Sequence, residues 1–351
     1  MTRRQPAISH ISFLTPGNYP DNAPLQGLEQ ALRLFELGEQ LGFNGAWVRQ
    51  RHLEHGVSSA STFLAAATQR TRQIELGSAV IQMGYESPFR LAEDLATVDI
   101  LSGGRLNVGL SAGAPDHLGL IGSSVWGEAW EQQDFSYQRV LSLRDNLSGR
   151  FFGDESTVIH SPGNTQRPRV QPYAAGLVDR LWYGGGSLRS ARWAGQSGFN
   201  LLTGNLTSGE ETDDFYQAQL AQIWLYRESL AMSGRQQTRI ALGRVIIPTD
   251  SADATTRRRY QQFAAGRYPR TLAPQGPRRT LFSQDMVGSA EQILERLFDD
   301  PVLRQVNELR IELPYELSYA EYSQIISDFV TLIAPELGWT AHPAASRAAG
   351  K

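Results

Sequence analysis

Apolar residues recur at two different spacings along this chain. Short apolar runs such as 105–111 alternate with longer segments, such as 213–232, in which apolar residues repeat every three or four positions. The first spacing is typical of buried β-strands, and the second is typical of helices that bury one face. The chain is therefore predicted to alternate strands and helices over most of its length.

The order of the predicted elements indicates the fold class. Eight strands are predicted, at 8–14, 46–48, 74–83, 105–111, 181–185, 199–203, 239–247 and 308–313. Helices are predicted at 28–41, 62–70, 88–101, 126–147, 188–196, 213–232, 255–267, 289–298 and 319–333. Strands that alternate with helices across short connections require a parallel sheet. This favours an α/β fold of the closed (β/α)8 TIM barrel type, and an open doubly wound sheet is the alternative.

Two segments rich in proline and glycine interrupt the alternation and are predicted to be loop insertions. The first, 151–175, has room for a small hairpin, and the second is 268–283. Because α/β barrels of this size commonly fold as one domain, residues 1–340 are predicted to form a single domain. The alanine-rich end, 341–351, has no periodic pattern and is predicted to be disordered.

Composition excludes several classes of protein. The 351 residues are 41% hydrophobic and carry a formal net charge of −3, which is ordinary for a globular protein with a large core. There is no basic block, so nucleic acid is not a predicted partner. The absence of cysteine excludes disulfides and thiolate metal sites. No signal peptide or membrane-spanning run is visible, so a cytoplasmic protein without membrane contact is predicted.

The glycine-rich turn after the fifth strand is the first candidate for a binding site. Gly185 and Gly186 follow the apolar run, and Ser187 is a favourable N-cap for the next helix. The N–H groups of 188–190 are predicted to be free, and with the Ser190 hydroxyl they would suit an anion such as phosphate. An ordinary turn is the alternative, but TIM barrels often bind phosphate beside their later strands.

Several segments resemble the bacterial luciferase-like flavin monooxygenases. The most specific of them is the block 87–105, with the sequence SPFRLAEDLATVDILSGGR. Further similar segments are 41–48 with the following Arg51 and His52, then 73–80, 184–187 and 287–293. The resemblance extends from about residue 8 to residue 338, which is nearly the whole chain.

The resemblance implies a TIM barrel that binds FMN or, in some relatives, the deazaflavin F420. The residues that it places at the flavin phosphate are Gly185, Gly186, Ser187 and Ser190. It places Ala79 and Val80 against the isoalloxazine ring, at a peptide bond that is often cis in the family, and Thr203 on the other side of the ring. Plain strand packing is the alternative for Ala79.

The chain departs from the family pattern at two places. Luciferases carry a His-His pair preceded by Glu, and the corresponding residues here are Gln50, Arg51 and His52. Arginine cannot act as a base at neutral pH, but it can stabilise a reduced or peroxide flavin anion by its charge. His52 titrates near neutrality, and either a catalytic or a structural role is open. Ala112 replaces an arginine near the phosphate, so FMN is expected to bind weakly, as a substrate would.

These observations predict a two-component monooxygenase with Arg51 and His52 as catalytic residues. Reduced FMN would arrive from a separate flavin reductase and, with O2, oxygenate a small organic substrate in a protein that is expected to be a homodimer. An F420-dependent dehydrogenase and a flavin-binding protein without turnover are the alternatives. No metal site is predicted, because His52, Glu54 and His55 lie on a loop where solvated side chains are more common.

Overall fold

A closed barrel of eight parallel strands forms the centre of the protein, whose computed structural model describes residues 7–235, 238–315 and 317–342. The barrel strands are β1 (His10–Thr15), β2 (Gly45–Val48), β3 (Glu75–Gln82), β4 (Leu106–Ser111), β5 (Leu181–Gly184), β6 (Asn200–Thr203), β7 (Ile240–Arg244) and β8 (Glu308–Glu312). Each strand pairs in parallel with its neighbours in sequence, and β8 pairs with β1. The predicted TIM barrel is confirmed, and the alternative of an open sheet is wrong.

Ten α-helices lie within the described ranges. They are α1 (Pro24–Gln40), α2 (Ala60–Arg70), α3 (Pro88–Ser102), α4 (Leu118–Trp126), α5 (Gln138–Leu147), α6 (Leu188–Gln196), α7 (Phe215–Met232), α8 (Ala254–Arg267), α9 (Ala290–Asp299) and α10 (Tyr319–Asp328). Local sequence explains their ends. In α3, for example, Ser87 caps the N-terminus, Pro88 occupies the first turn, and Gly103 ends the helix with a φ of 71°. None of the helices in these ranges is long and apolar enough to cross a membrane.

The single helix predicted at 126–147 is wrong. Gly127, with a φ of 71°, ends α4 at Trp126. The carboxylate of Asp134 then accepts a hydrogen bond of 2.8 Å from the Ser136 N–H, which fixes a turn ahead of α5. The apolar spacing suggested one continuous helix, but Gly127 and the turn at Asp134 interrupt the helical conformation between α4 and α5.

The segments inserted between barrel elements contain short additional strands. The predicted hairpin within 151–175 is present as Ile159–Ser161 paired with Asn164–Gln166. Strand Leu206–Ser208, after β6, pairs antiparallel with Thr280–Phe282, so two insertions distant in sequence meet beside the start of α6. The strand predicted at 239–247 is divided, because Ile246–Pro248 leaves the barrel and pairs with Met286–Gly288.

The end of the chain was predicted to be disordered from residue 341. Residues 341 and 342 are described, and the His342 N–H donates a hydrogen bond of 3.1 Å to the Gly42 carbonyl. Residues 343–351 lie outside the described residues, so the prediction for them stays a prediction.

The barrel interior combines an apolar cluster with buried charged side chains, among them Arg310 over the Trp47 ring and Glu312 paired with Arg49 at 3.0 Å. Its apolar cluster consists of Leu14, Trp47, Trp182, Leu202 and Ala241. The two tryptophan rings meet edge to face, with centroids 5.6 Å apart. Below them, at the N-terminal end of the barrel, Arg239 bonds to Glu75 at 3.0 Å and to Glu308 at 2.6 Å. This packed interior is the floor of the opposite, C-terminal mouth of the barrel.

Candidate active site

The side chains predicted to form the site lie at or near the C-terminal ends of β2, β3, β5 and β6. In a TIM barrel, the loops that follow the strands line this mouth and carry the chemistry. The structure therefore brings the glycine turn, the Ala79–Val80 segment and the loop after β2 to one side of the molecule. Their detailed geometry differs from the prediction at several positions.

The Ala79–Val80 segment faces the barrel interior. Its peptide bond is cis, and the pairing of β3 with β4 shifts register between Ser78 and Ile81. Both side chains are partly buried and pack on the apolar cluster of the barrel interior. A methyl group added at Gly184 would lie 3.3 Å from Val80 Cγ1, so the absence of a side chain there leaves room beside Val80.

The glycine turn is held by a capping box at the start of α6. The Ser187 hydroxyl accepts a hydrogen bond of 3.1 Å from the Ser190 N–H, and the Ser190 hydroxyl accepts bonds from the N–H groups of Gly186 and Ser187. A methyl group added at Gly185 would lie 2.6 Å from Leu201 Cδ1, whereas one added at Gly186 would meet nothing within 4 Å. A side chain at position 185 would therefore have to displace the Leu201 side chain, whereas Gly186 faces open space.

The amide groups of this turn are less free than predicted. The Leu188 N–H donates a hydrogen bond of 3.3 Å to Oε1 of Glu210, an exposed residue of the loop before α7. The Ser190 N–H is already bonded to Ser187. The prediction of free N–H groups is therefore wrong for Leu188 and Ser190, because a carboxylate and a hydroxyl of the same chain accept their hydrogen bonds.

Thr203 does not present its side chain to the mouth, so its contact with the ring stays a prediction that only the backbone of this residue could meet. Its hydroxyl accepts a hydrogen bond of 2.7 Å from Gln219 of α7, and the residue is 2% exposed. Strand alternation explains this orientation, since Leu202 packs in the barrel interior and the next residue must face the helices. Leu202 is the side chain of β6 that lies towards the barrel axis.

Arg51 turns towards the loop after β8. Its Nε and Nη2 atoms lie 3.4 and 3.3 Å from the Tyr315 hydroxyl. Burial disfavours the charged guanidinium, but the hydroxyl of Tyr315 and the acidic Glu54 and Asp116 outweigh it, and the pKa of Arg51 lies above its usual value. Arg51 is thus a fixed positive charge and not a base, as predicted from its residue type.

His52 turns the other way, towards the loop after β3. Its ring stacks on Tyr85, with centroids 3.8 Å apart. Gln50 Nε2 lies 3.0 Å from His52 Nε2 and donates to Glu86 at 3.1 Å, while Gln50 Oε1 accepts from the Ala60 N–H. That backbone bond fixes the amide orientation, so His52 Nε2 is an acceptor and the ring proton is on Nδ1. Burial lowers the pKa of His52, which favours this neutral form.

A cavity of about 850 Å³ opens beside Arg51, between the loops after β1, β2 and β8. Apolar and polar groups share its wall, which includes Pro16, Tyr19, Arg51, Leu53, Tyr315 and Leu317. Its volume is sufficient for a small organic molecule. Across the described ranges, no group of three or more histidine, aspartate or glutamate side chains is arranged to hold a metal ion.

Glu86 and Glu210 were not among the residues singled out from the sequence. Tyr315, by contrast, lies three residues after β8, and the segments that follow barrel strands are where a TIM barrel is expected to place its site. Glu86 contacts His52 only through Gln50, and Glu210 meets α6 from a loop 22 positions further along the chain. Neither of these two contacts follows from a sequence pattern.

Comparison with known proteins assigns the family. The sequence profile described as luciferase-like monooxygenase matches residues 9–300. The chain belongs to the luciferase-like monooxygenase family. The resemblance found in the sequence is thereby confirmed over most of the chain.

Two relatives within the luciferase-like family carry named activities. The 4-hydroxyprotoasukamycin monooxygenase of Streptomyces nodosus subsp. asukaensis is 35% identical over 118 residues, which are 33% of this chain and 32% of that protein. The limonene 1,2-monooxygenase of Rhodococcus erythropolis is 36% identical over 104 residues, which are 29% and 27% of the two chains. The chain spans only about half, or less, of the curated relatives that it matches first.

Solved structures share the fold of this luciferase-like chain. The monooxygenase RslO1 from Streptomyces bottropensis has a TM-score of 0.68 and 21% identity, and covers 93% of this chain and 99% of its own. The oxygenating constituent of 3,6-diketocamphane monooxygenase from Pseudomonas putida, solved with FMN, has a TM-score of 0.67, 14% identity and coverage of 93% and 98%. An F420-dependent secondary alcohol dehydrogenase has a TM-score of 0.62, 16% identity and coverage of 94% and 99%. The same fold therefore occurs in a protein solved with FMN and in one described as F420-dependent.

Proposed function

We propose that this chain is a monooxygenase that takes reduced FMN and O2 and oxygenates a small organic substrate. The main support is that two features meet at one point of the barrel mouth. Gly184, from which the glycine turn begins, is the residue whose missing side chain leaves room beside Val80. A ligand with an anionic tail at the turn can therefore lay a flat ring over Ala79 and Val80.

The start of α6 would hold the phosphate of FMN. Gly186 faces open space, and the hydroxyls of Ser187 and Ser190 lie at the positive end of the helix. The open backbone and two hydroxyls fit a phosphate, whereas the Glu210 carboxylate at the same turn opposes one. On balance these residues fit a flavin tail that binds weakly, as expected for a cofactor that is exchanged with a reductase.

The remaining residues have separate proposed roles. Reduced flavin supplies the two electrons that activate O2, with one oxygen atom entering the substrate and the other leaving as water. Ala79 and Val80 give the ring an apolar floor that excludes water. His52 Nδ1–H can donate a hydrogen bond from a neutral ring, and Arg51 supplies a fixed positive charge at the wall of the cavity, which we propose takes the substrate.

The phosphate site is tested by removing its hydroxyls. We expect Ser187→Ala with Ser190→Ala to weaken FMN binding about tenfold or more, because the two hydroxyls, which now bond to each other and to the Ser187 carbonyl, both shape the turn and would turn to the phosphate. The matched control is Ser289→Ala, which breaks an equivalent capping box at the start of α9. Each lost cap destabilises the protein by about 1 kcal/mol, so only the effect on FMN separates the variants. Equal FMN dissociation constants in both variants would contradict the proposed site.

Chemistry at the site is tested separately. The protein is mixed anaerobically with photoreduced FMN, and O2 is then added while flavin absorbance is followed. We expect reoxidation to be slower than for free FMN, because the mouth shields the bound ring. Reoxidation at the rate of free FMN, at protein concentrations that bind all of the flavin, would argue against a monooxygenase.

An F420-dependent dehydrogenase is the second candidate. The observation that favours it is Glu210 beside the Leu188 N–H, which opposes a dianionic phosphate more than a phosphodiester of lower charge. Anaerobic titrations with FMN and F420 separate the two functions. F420 binding more than about tenfold tighter than FMN binding, together with alcohol oxidation without O2, would replace our first proposal.

A further inference from the structure

We propose that Glu210 is an internal anion that competes with the flavin phosphate for the start of α6 and so determines which tail charge the site accepts. This inference rests on the proposed function, because it concerns the same turn. It adds a residue that the sequence pattern does not indicate.

The position of Glu210 is fixed by its backbone as well as by its side chain. Oε1 lies 3.3 Å from the N–H of Leu188, the first residue of α6. The Ser208 N–H donates a hydrogen bond of 2.8 Å to the Gly186 carbonyl. The Gly209 N–H donates to the Arg279 carbonyl, and the Gly209 carbonyl accepts a hydrogen bond of 3.0 Å from Nε of the Arg279 side chain. The loop is therefore tied to the glycine turn directly before Glu210, which keeps the carboxylate beside the helix.

Glu210 is the charged acceptor of the glycine turn. The Ser190 hydroxyl accepts from Gly186 and Ser187, and the Ser187 hydroxyl accepts from Ser190, but these oxygens are neutral. A phosphate can lie beside neutral hydroxyls at a helix terminus, whereas a second anion at the same terminus is repelled. A bound phosphate must therefore either displace the Glu210 carboxylate from the Leu188 N–H or bind more weakly because of its repulsion.

Nearby basic side chains do not neutralise this carboxylate. Within the described ranges, Glu210 forms no salt bridge. The guanidinium of Arg189 lies over the Tyr137 ring, 5.6 Å from its centroid, and Arg279 is paired with Asp213. The negative charge at the helix start is therefore uncompensated by these two arginines, and its effect should depend on the charge of the ligand tail.

This dependence on tail charge gives a direct test. FMN and riboflavin share one ring system and differ in the phosphate, so each is titrated into the wild-type protein and into Glu210→Gln and followed by flavin fluorescence. We expect Glu210→Gln to tighten FMN binding about tenfold at low ionic strength and to change riboflavin binding less than about twofold. The glutamine keeps an oxygen that can accept from Leu188, so the helix retains its hydrogen bond.

The matched control is Glu211→Gln, which removes the same charge from the next exposed residue. We expect it to change FMN affinity less than about twofold. The gain in Glu210→Gln should also shrink as salt is raised to about 0.5 M, because exposed charges are screened. A uniform effect of net charge would instead appear in both variants.

The outcomes separate this inference from the proposed function. Unchanged or weaker FMN binding in Glu210→Gln, with the serine variants still losing FMN, would overturn the inference and leave the phosphate site standing. Equal gains for FMN and riboflavin would also overturn it, because the phosphate would then not be the group that Glu210 opposes. Failure of wild type and Glu210→Gln alike to bind FMN would overturn both.

Discussion

At the scale of single residues, the two side chains predicted to be catalytic face opposite surroundings. Arg51 reaches the Tyr315 hydroxyl across the mouth, and His52 stacks on Tyr85 beside the Gln50 and Glu86 pair. The arginine is held charged and the imidazole is held neutral. A fixed cation thus replaces the first histidine of the luciferase pattern, and the second, His52, is kept as a neutral hydrogen-bond donor.

The state of His52 is measurable by NMR. Because burial lowers its pKa below the ordinary 6.5, the unfolded chain takes up this proton more readily than the folded protein. Its contribution to stability is therefore complete above about pH 6.5 and decreases as the pH falls below that value. We expect ring shifts of the Nδ1–H tautomer and a midpoint below 6.5. An Nε2–H tautomer, or a midpoint above 6.5, would contradict the Gln50 contact, and Gln50→Ala should release the tautomer preference.

At the scale of elements, a buried guanidinium joins the ends of β6 and β7 to the outer helices. Arg244 is 0% exposed, bonds to Asp300 at 2.8 Å and donates to Gln219, which in turn donates to Thr203. A buried ion pair is expensive to break because the remaining charge loses its partner. The network therefore holds the strand ends that carry the mouth.

Removing this arginine should destabilise the protein strongly. We expect Arg244→Met to lower the free energy of unfolding by about 3–5 kcal/mol, because Asp300 is left buried without its cation. The control Arg70→Met breaks an exposed pair with Glu29 and should lower it far less, because ion pairs in water contribute little to stability. Urea unfolding followed by circular dichroism measures both values. Similar losses of unfolding free energy in the two variants would show that the buried ion pair stabilises the protein no more than an exposed one.

The elements also show what the sequence can and cannot predict. Apolar runs identified the eight barrel strands, because burial requires them wherever a strand crosses the core. The position of Thr203 at a strand end was predicted, but the direction of its side chain was not. A shift of one residue along a strand moves every side chain to the opposite face of the sheet. Glu210 could not be found, because its contact with Leu188 depends on the path of a loop.

At the scale of the whole molecule, an ion-pair network lies at the N-terminal end of the barrel, opposite the proposed site. Glu75 bonds to His10 at 3.2 Å and to Arg239 at 3.0 Å. Burial favours the neutral acid, but His10 and Arg239 outweigh it and lower the pKa of Glu75 to about 2. This end of the barrel therefore depends on an ionised carboxylate.

The lowered pKa of Glu75 predicts that the protein loses stability in acid. A carboxylate with a lowered pKa stabilises the fold above its unfolded value of 4.5, and this stabilisation is lost as the pH falls towards about 2. We expect Glu75→Gln to lower the free energy of unfolding at pH 7 by roughly 2–3 kcal/mol, since partial exposure reduces the full effect, and to flatten its dependence on pH. Urea unfolding from pH 7 to pH 3 tests this, with the exposed Glu155→Gln as control. If the free energy of unfolding of Glu75→Gln depended on pH as steeply as that of the wild type, this prediction would be contradicted.

The pairing of Leu206–Ser208 with Thr280–Phe282 has a practical consequence for chimaeras between relatives. The two strands belong to insertions separated by a full barrel repeat, yet they fold as one unit against the glycine turn. A transplant of 268–283 alone would leave the recipient's partner strand mismatched. A chimaera that is meant to acquire the loops of a relative should therefore receive both segments together.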